Sequence, residues 1–234
     1  MTTTFTGTLT ALVTPFRDGK LDDDALRALV EAQIAGGISG LVPCGTTGES
    51  VTLSTAEHAH VVRTVVEQAK GRVPVVAGAG SVSTAHTIEL TRIAKEAKAD
   101  GVLLVVPYYN RPTQAGLVAH YRAVLSAVPM PAIVYNIPGR TGSDLGLDAM
   151  KELAAVPEIT GVKEATGNVL RSQSLVQRFG DRFAVLSGDD ALTLPILAVG
   201  GRGVISVTSN AAPKEVSDVV RLWNAGDVAG ARAL

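Results

Sequence analysis

Residues 159–179, ITGVKEATGNVLRSQSLVQRF, contain the pattern that decides the fold of this chain. Ile159 to Val162 is a short apolar run typical of a buried strand, and Leu170 to Phe179 repeats apolar residues at helical spacing. Lys163 follows the strand directly, although lysine is almost never fully buried and an unpaired buried charge is costly. The segment therefore predicts a strand–loop–helix unit with a chemically unusual residue at the end of the strand.

The same unit recurs eight times along the chain. The predicted strands are Leu9 to Thr14, Gly40 to Pro43, Val73 to Ala77, Val102 to Val106, Ala132 to Tyr135, Ile159 to Val162, Phe183 to Leu186 and Val204 to Val207. The predicted helices are Asp22 to Ala35, Ala56 to Lys70, Thr84 to Ala97, Gln114 to Val128, Leu147 to Ala155, Leu170 to Phe179, Asp190 to Val199 and Pro213 to Asn224. Eight strands with eight crossovers most economically close into an α/β protein of the (β/α)₈ TIM-barrel type, and an open doubly wound sheet is the main alternative. No linker marks a boundary, so residues 1–234 are expected to form a single barrel domain.

The composition excludes several classes of function. The 234 residues are 46% hydrophobic and 18% charged, with a formal net charge of −1, which gives no electrostatic reason to expect nucleic acid as a partner. The longest apolar stretches, such as Val102 to Pro107, are too short to span a bilayer, and the N-terminus has no pattern of a secretion signal. The sole cysteine, Cys44, fits a reducing compartment. We therefore expect a cytoplasmic protein without membrane or nucleic-acid partners.

In a barrel of this type, the chemistry lies in the loops after the strands. Lys163 is the only lysine of the chain at the end of a predicted strand. Partial burial disfavours the ammonium form, and the neutral amine can attack a carbonyl carbon to give a Schiff base. Two alternatives remain open from the residues alone. Lys163 pairs with a carboxylate of the barrel, or it binds phosphate, although no G-x-x-x-x-G-K-[ST] motif surrounds it.

Other loops offer groups for a small carboxylate substrate. Thr46 and Thr47 lie between glycines and present hydroxyl and N–H groups, as anion-binding turns do. Tyr135 and Tyr109 can relay protons, or they are packing residues with a bonded hydroxyl. Arg140 follows a Pro-Gly turn and can bind a second carboxylate bidentately, or it is simply solvated.

Six motifs together resemble one family. They are GTTGES (45–50), PYYNRP (107–112), YNIPGRTG (135–142), GVKEATGN (161–168), LSGDD (186–190) and GVISVTSN (203–210). In this order and at this spacing, the chain from about Gly7 onward resembles the dihydrodipicolinate synthases, also called 4-hydroxy-tetrahydrodipicolinate synthases. These are lyases of the pyruvate-dependent, Schiff-base aldolase superfamily.

The resemblance implies catalytic roles for four residues. Lys163 matches the lysine that condenses with pyruvate, and Tyr135 matches the tyrosine that donates and accepts protons. Thr46 matches the threonine of a proton relay through Tyr135 and Tyr109. In the family, the tyrosine at the position of Tyr109 is contributed across a dimer interface.

Four further residues match substrate-binding positions. Thr47 matches a contact to the pyruvate carboxylate, and Ile205 matches a backbone contact to pyruvate. Arg140 matches the residue that binds the carboxylate of the second substrate, L-aspartate 4-semialdehyde. Gly188 also falls at a substrate-binding position.

The implied reaction adds the pyruvate enamine to the semialdehyde in the diaminopimelate route to lysine. The family requires neither a metal nor an organic cofactor, and the resemblance implies a homotetramer built as a dimer of dimers. The alternatives are N-acetylneuraminate lyase or a keto-deoxy-sugar-acid aldolase, which share the lysine and the tyrosine, or a non-catalytic fragment. Thr46-Thr47 and Arg140 favour the synthase.

The sequence also departs from the family. Many members are inhibited by lysine, but Thr55, Val82 and His86 replace the His, Asn and Glu of sensitive enzymes, although His58 and Tyr108 match. We therefore expect weak or absent inhibition by lysine. Residues 231–234 end the chain within a helical pattern, so the barrel is expected to lack most of the C-terminal helical region of the family.

Overall fold

The structure of the protein, a computed structural model, describes residues 5–234. Its main feature is one sheet of eight parallel strands separated by helices, which confirms the predicted (β/α)₈ TIM barrel. The strands are β1 (Gly7–Ala11), β2 (Gly40–Val42), β3 (Val76–Gly78), β4 (Gly101–Val105), β5 (Ala132–Asn136), β6 (Ile159–Glu164), β7 (Ala184–Ser187) and β8 (Gly203–Ser206). A two-stranded hairpin, Phe16–Arg17 with Lys20–Leu21, follows β1.

The strands follow one another around the barrel in chain order. β1 pairs with β2 on one side and with β8 on the other, so the first and last units are neighbours. Between β2 and β3 the sheet is joined by a single bridge, Leu41 to Val75, which completes the circle. Gly7 faces Gly203, where an added Cβ on Gly203 would lie 1.9 Å from the Gly7 carbonyl oxygen. Glycine is therefore required at this junction of the first and last strands.

Helices cover the outside of the sheet. They are α1 (Asp23–Ala35), α2 (Thr55–Ala69), α3 (Thr84–Glu96), α4 (Gln114–Ala127), α5 (Leu147–Leu153), α6 (Val169–Phe179), α7 (Thr193–Ala198) and α8 (Pro213–Asn224). Short helices at Pro138–Thr141 and Val228–Ala233 and 3₁₀ turns at Asp190–Leu192 and Thr208–Asn210 complete the set. None of the helices within residues 5–234 has the length and apolar character that a bilayer crossing needs.

Polar residues cap the N-termini of most of the long helices. Asp22 precedes α1, accepts a hydrogen bond from the N–H of Ala25 and pairs with Arg17 at 2.7 Å. Ser54 and Glu57 form a reciprocal capping box at the start of α2. These side chains satisfy N–H groups that have no partner within the helix, so Asp22 stabilises the N-terminus of α1.

The predicted boundaries differ from the observed ones mainly at the first strand and at the third, which begins at Val76 rather than Val73. β1 begins at Gly7 and ends at Ala11, whereas the apolar pattern predicts Leu9 to Thr14. Thr14 instead turns its hydroxyl to the carbonyl of Gly48, at 2.7 Å, and belongs to a loop. The helix predicted from Asp190 onward is divided into a 3₁₀ turn and α7.

The barrel has two apolar layers because successive strand residues point to opposite faces. One layer fills the interior and includes Leu9, Val42, Ile133, Leu186 and Ile205. The other lies between the sheet and the helices. The same alternation sends Lys163 and Tyr135 inward, and it sends the residue that follows each of them outward.

Candidate active site

Lys163 and Tyr135 form the centre of the candidate site. They are register partners on the neighbouring strands β6 and β5, and both point into the barrel. The ammonium nitrogen of Lys163 lies 4.1 Å from the centroid of the Tyr135 ring. Only 4% of Lys163 and 5% of Tyr135 are exposed. The sheet thus fixes an amine and a phenol side by side in a nearly dry setting.

The environment of Lys163 increases the fraction of its neutral amine form. Burial, followed by the nearby Arg140 guanidinium, lowers the pKa of Lys163 to about 8, and the Asp190 carboxylate opposes this shift. Within residues 5–234, Lys163 forms no salt bridge, so the described part of the chain lacks the ion pair that the sequence left open. At pH 7 about one amine in ten is neutral, compared with about one in 3,000 at the ordinary value of 10.5. Lys163 therefore has the properties of a nucleophile.

Tyr135 responds to the same surroundings. Burial raises the pKa of its phenol, while the Arg140 guanidinium and a hydrogen bond with Thr46 counteract the rise. Thr46 lies in the loop after β2, and Arg140 lies in the short helix after β5. Two strands, one loop and one short helix therefore bring Lys163, Tyr135, Thr46 and Arg140 to one end of the barrel, which is the end that the sequence predicts.

The loop after β2 is folded tightly around Thr46 and Thr47. Cys44 has a φ of +54° and is buried, and its thiol lies 3.9 Å from the carbonyl of His58. At Gly78 on β3, an added Cβ would come within 2.0 Å of the Cys44 carbonyl oxygen, so only glycine fits there. Thr46 is exposed and Thr47 is half-buried, so both are accessible from the barrel end. Binding of a carboxylate by Thr47 stays a prediction.

Gly188 shapes the wall beside Lys163. Its N–H donates to the carbonyl of Glu164 at 2.8 Å. An added Cβ would lie 2.6 Å from the Cβ of Ala165 and 3.2 Å from the Cε of Lys163. The absence of a side chain therefore leaves room for the lysine. Ile205 is fully buried in the interior layer, and its backbone contact to a substrate stays a prediction.

Tyr109 lies apart from the cluster. It follows β4, has a φ of +69° and exposes 89% of its surface. Its N–H donates to the carbonyl of Thr141 at 3.0 Å, which holds the backbone near the short helix of Arg140. Its side chain packs against little of its own chain. The relay through Tyr109 therefore stays a prediction that requires a second copy.

The sequence interpretation missed polar groups behind the site. Glu164 and Asn136, each one residue after a central side chain, point outward and meet at 3.4 Å. Arg171 on α6 pairs with Glu164 at 3.0 Å. Strand alternation is the sequence feature that could have indicated this pair, because it places Glu164 between the sheet and the helices, where a buried carboxylate needs a partner. Asp190 lies at the start of a predicted helix, and its carboxylate accepts hydrogen bonds from two N–H groups of the loop after β8, a contact that the sequence does not indicate.

Comparisons with known proteins agree with this geometry. The family model described as the dihydrodipicolinate synthetase family matches residues 4–234. The 4-hydroxy-tetrahydrodipicolinate synthase of Sorangium cellulosum (strain So ce56) is 61% identical over 97% of this chain and 76% of its own length. The crystal structure of dihydrodipicolinate synthase from Aquifex aeolicus is similar with a TM-score of 0.95 and 46% identity, over 98% of this chain and 78% of that one.

A second similar structure is a complex with a ligand. It is the chloride-inhibited dihydrodipicolinate synthase from Acinetobacter baumannii complexed with pyruvate, with a TM-score of 0.95 and 45% identity, over 98% of this chain and 79% of that one. The match of the family model and the identity of the relatives cover nearly all of the chain. The protein therefore belongs to the dihydrodipicolinate synthetase family.

Proposed function

We propose that the protein is a 4-hydroxy-tetrahydrodipicolinate synthase that condenses pyruvate with L-aspartate 4-semialdehyde. The observation that carries this proposal is the buried Lys163 amine, 4.1 Å from the Tyr135 ring and beside Arg140. The relatives that share up to 61% of the sequence bear this name, and one similar structure is a complex with pyruvate. These matches do not favour a lyase for sialic acid, an aldolase for keto-deoxy sugar acids or a non-catalytic fragment.

The first step is formation of a Schiff base. The neutral amine of Lys163 attacks the C2 carbonyl of pyruvate, so a C–N bond forms and the carbonyl oxygen leaves as water. Tyr135 donates the proton that the departing oxygen needs and later recovers one from the substrate. The hydroxyl of Thr46 passes protons between Tyr135 and the surroundings. Thr47 and the backbone near Ile205 hold the pyruvate carboxylate, and Gly188 leaves the space beside the lysine.

The second step forms a carbon–carbon bond. The Schiff base acts as an electron sink, so a proton leaves C3 and an enamine forms. The enamine carbon attacks the aldehyde carbon of the semialdehyde, and the aldehyde oxygen is protonated to a hydroxyl. Arg140 binds the carboxylate of this second substrate through its planar guanidinium. The amine of the semialdehyde then attacks C2 and replaces Lys163, which releases the cyclic product and the free enzyme. Every step uses the side chains of the protein and the two substrates.

Trapping with borohydride tests the proposal. Incubation with pyruvate and borohydride should reduce the Schiff base and add the mass of the reduced pyruvyl group at Lys163. Lys163→Arg should show no adduct, since guanidinium stays charged. Lys151→Arg, a change at an exposed position of α5, is the matched control and should retain the adduct. Wild-type protein without an adduct would contradict a Schiff-base mechanism.

The second substrate is tested separately. An enzyme that forms the pyruvate Schiff base consumes pyruvate continuously only when the correct aldehyde is also present. Aspartate 4-semialdehyde should give turnover, whereas N-acetylneuraminate or a keto-deoxy sugar acid should not be cleaved to pyruvate. Cleavage of either sugar acid at a rate above that of the condensation would contradict the substrate assignment.

We also infer that the chain forms one domain and assembles into a homotetramer. One closed sheet supports the single domain. The exposure of Tyr109 supports an interface, because a second copy would cover the ring and bring it to a neighbouring site. Mass measurement in solution tests the assembly, and a monomer at assay concentration would contradict it. The cytoplasmic location stays a prediction from the sequence.

A further inference from the structure

A buried polar cluster lies directly behind the candidate site. Glu164 is 2% exposed, and both of its carboxylate oxygens have partners. One accepts the N–H of Thr166 at 3.0 Å, and the other accepts from Arg171 at 3.0 Å and from Asn136 at 3.4 Å. A buried carboxylate is tolerated only with such compensation, so the cluster holds one fixed arrangement.

The cluster joins the two strands of the central pair. Glu164 follows Lys163 on β6, Asn136 follows Tyr135 on β5, and the two residues are register partners. Because successive residues of a strand share one rigid backbone, a shift of Glu164 against Asn136 moves Lys163 against Tyr135. The contact between Glu164 and Asn136 on the outer face of the sheet therefore controls the distance between Lys163 and Tyr135 on the inner face.

The same cluster holds the segment that follows Arg140. The side-chain oxygen of Asn136 accepts the N–H of Leu145 at 3.1 Å, and a terminal nitrogen of Arg171 donates to the Leu145 carbonyl. Asn136 also donates to Asp144 at 2.8 Å. Both backbone groups of Leu145 are thus bound by side chains of the cluster. This anchor limits how far the short helix of Arg140 can move.

We propose that Glu164, Arg171 and Asn136 are positioning residues that hold Lys163, Tyr135 and Arg140 in the geometry for Schiff-base formation. The proposal rests on the proposed function, because it assigns these residues to its first step. They lie on the outer face of the sheet, away from the barrel interior that holds Lys163, and they act by fixing two strands and one loop. The rate of the first step should therefore depend on them more than the binding of pyruvate does.

Arg171→Lys is the most direct test. Lysine keeps the positive charge but lacks the planar fork with which one side chain reaches both Glu164 and Leu145. We expect the rate constant of adduct formation at saturating pyruvate to fall about 10- to 100-fold, because small errors in the placement of reacting groups have effects of this size. The concentration of pyruvate at half saturation should change much less.

Arg182→Lys is the matched control. Arg182 also donates to two backbone carbonyls, those of Ala154 at 2.9 Å and Val156 at 2.7 Å. It lies before β7, at the barrel end opposite the site. This variant should keep the wild-type rate of adduct formation, even where its thermal stability falls as much as that of Arg171→Lys.

Two further variants separate positioning from stability. In Glu164→Gln combined with Arg171→Met, both charges of the buried pair are removed, so part of the stability lost in either single variant should be recovered, although the Leu145 carbonyl still lacks its donor. The rate should stay low. Asp144→Ala removes a side chain that is 52% exposed, so the protein should fold normally and show a smaller loss of rate.

The outcomes are distinct. A wild-type rate in folded Arg171→Lys or in Asp144→Ala would overturn the proposal, as would recovery of the rate together with stability in the double variant. If Arg171→Lys fails to fold, the double variant and Asp144→Ala decide. Absence of any adduct in wild-type protein would instead contradict the proposed function.

Discussion

Replacement of Lys163 by methionine should abolish activity and make the protein more stable at neutral pH. Lys163 is only 4% exposed, and within residues 5–234 its ammonium group forms no salt bridge. Folding therefore transfers a charge from water into the barrel with little compensation. Methionine has a similar length and no charge. The size of the gain follows from the difference in pKa between the unfolded and folded chains.

Burial lowers the pKa of Lys163 from 10.5 to about 8, which corresponds to about 3 kcal/mol of folding free energy. Below pH 8 both states carry the proton, so the whole destabilisation is present. Between pH 8 and 10.5 the unfolded chain holds a proton that the folded chain has released, so the stability of the wild type rises with pH. Above 10.5 both states are neutral and the destabilisation disappears.

Urea unfolding of both proteins at pH 7, 8, 9 and 10 measures this effect. The stability advantage of Lys163→Met should shrink by about 2.5 kcal/mol between pH 7 and pH 10. Lys151→Met, at an exposed position, controls for the loss of a lysine charge. A constant difference between Lys163→Met and the wild type across this range would refute the reasoning, because it would mean that the amine is not desolvated in the folded state.

Three further results are expected from the trapping assay. The rate of adduct formation should rise only about twofold from pH 8 to pH 9, because the pKa of Lys163 is about 8, whereas a pKa of 10.5 would give about tenfold. Arg140→Met removes a cation that lowers the pKa of both Lys163 and Tyr135, so the pH of half-maximal adduct formation should move upward, and a downward shift would contradict this role. Gly188→Ala should slow adduct formation without unfolding the protein, because the new methyl group would lie 3.2 Å from the Lys163 side chain and 2.6 Å from Ala165. An unchanged rate would show that the backbone near Gly188 moves to accommodate the methyl group without displacing Lys163.

The sequence predicted the strands well wherever apolar, β-branched residues fill them. Ile159 to Val162 was recognised, although β6 extends to Glu164. The first strand was misplaced because Gly7 and Thr8 carry no apolar signal, and the need for glycine opposite Gly203 appears only when two distant segments meet. The Pro-Gly pair predicts a turn, whereas the structure has a short helix at Pro138–Thr141. Local patterns therefore give the elements, and contacts between distant segments adjust their ends.

The candidate site also combines residues that local patterns indicate with contacts between distant segments that they do not. The sequence places Lys163 and Tyr135 at the ends of predicted strands and hence at the same end of the barrel, and the structure brings the Lys163 nitrogen to 4.1 Å from the centroid of the Tyr135 ring. The contact between Glu164 and Arg171 was not predicted, because the chain must turn from strand to helix before the two side chains meet. Asp190 was missed for a similar reason, since its hydrogen-bond donors lie at residues 207 and 208. Short stretches of sequence do not indicate hydrogen bonds or ion pairs between residues that the fold brings together from different elements.

The buried Cys44, two residues before Thr46, makes the loop after β2 observable. Burial raises the pKa of its thiol from 9.0 to about 12, so the reactive thiolate is about a thousandfold rarer than in an exposed cysteine. Alkylating reagents therefore modify Cys44 mainly in molecules in which the loop after β2 has opened and exposed the thiol to solvent. As the chain contains no second cysteine, the labelling rate of the unmodified protein reports breathing of this loop directly, without an engineered probe.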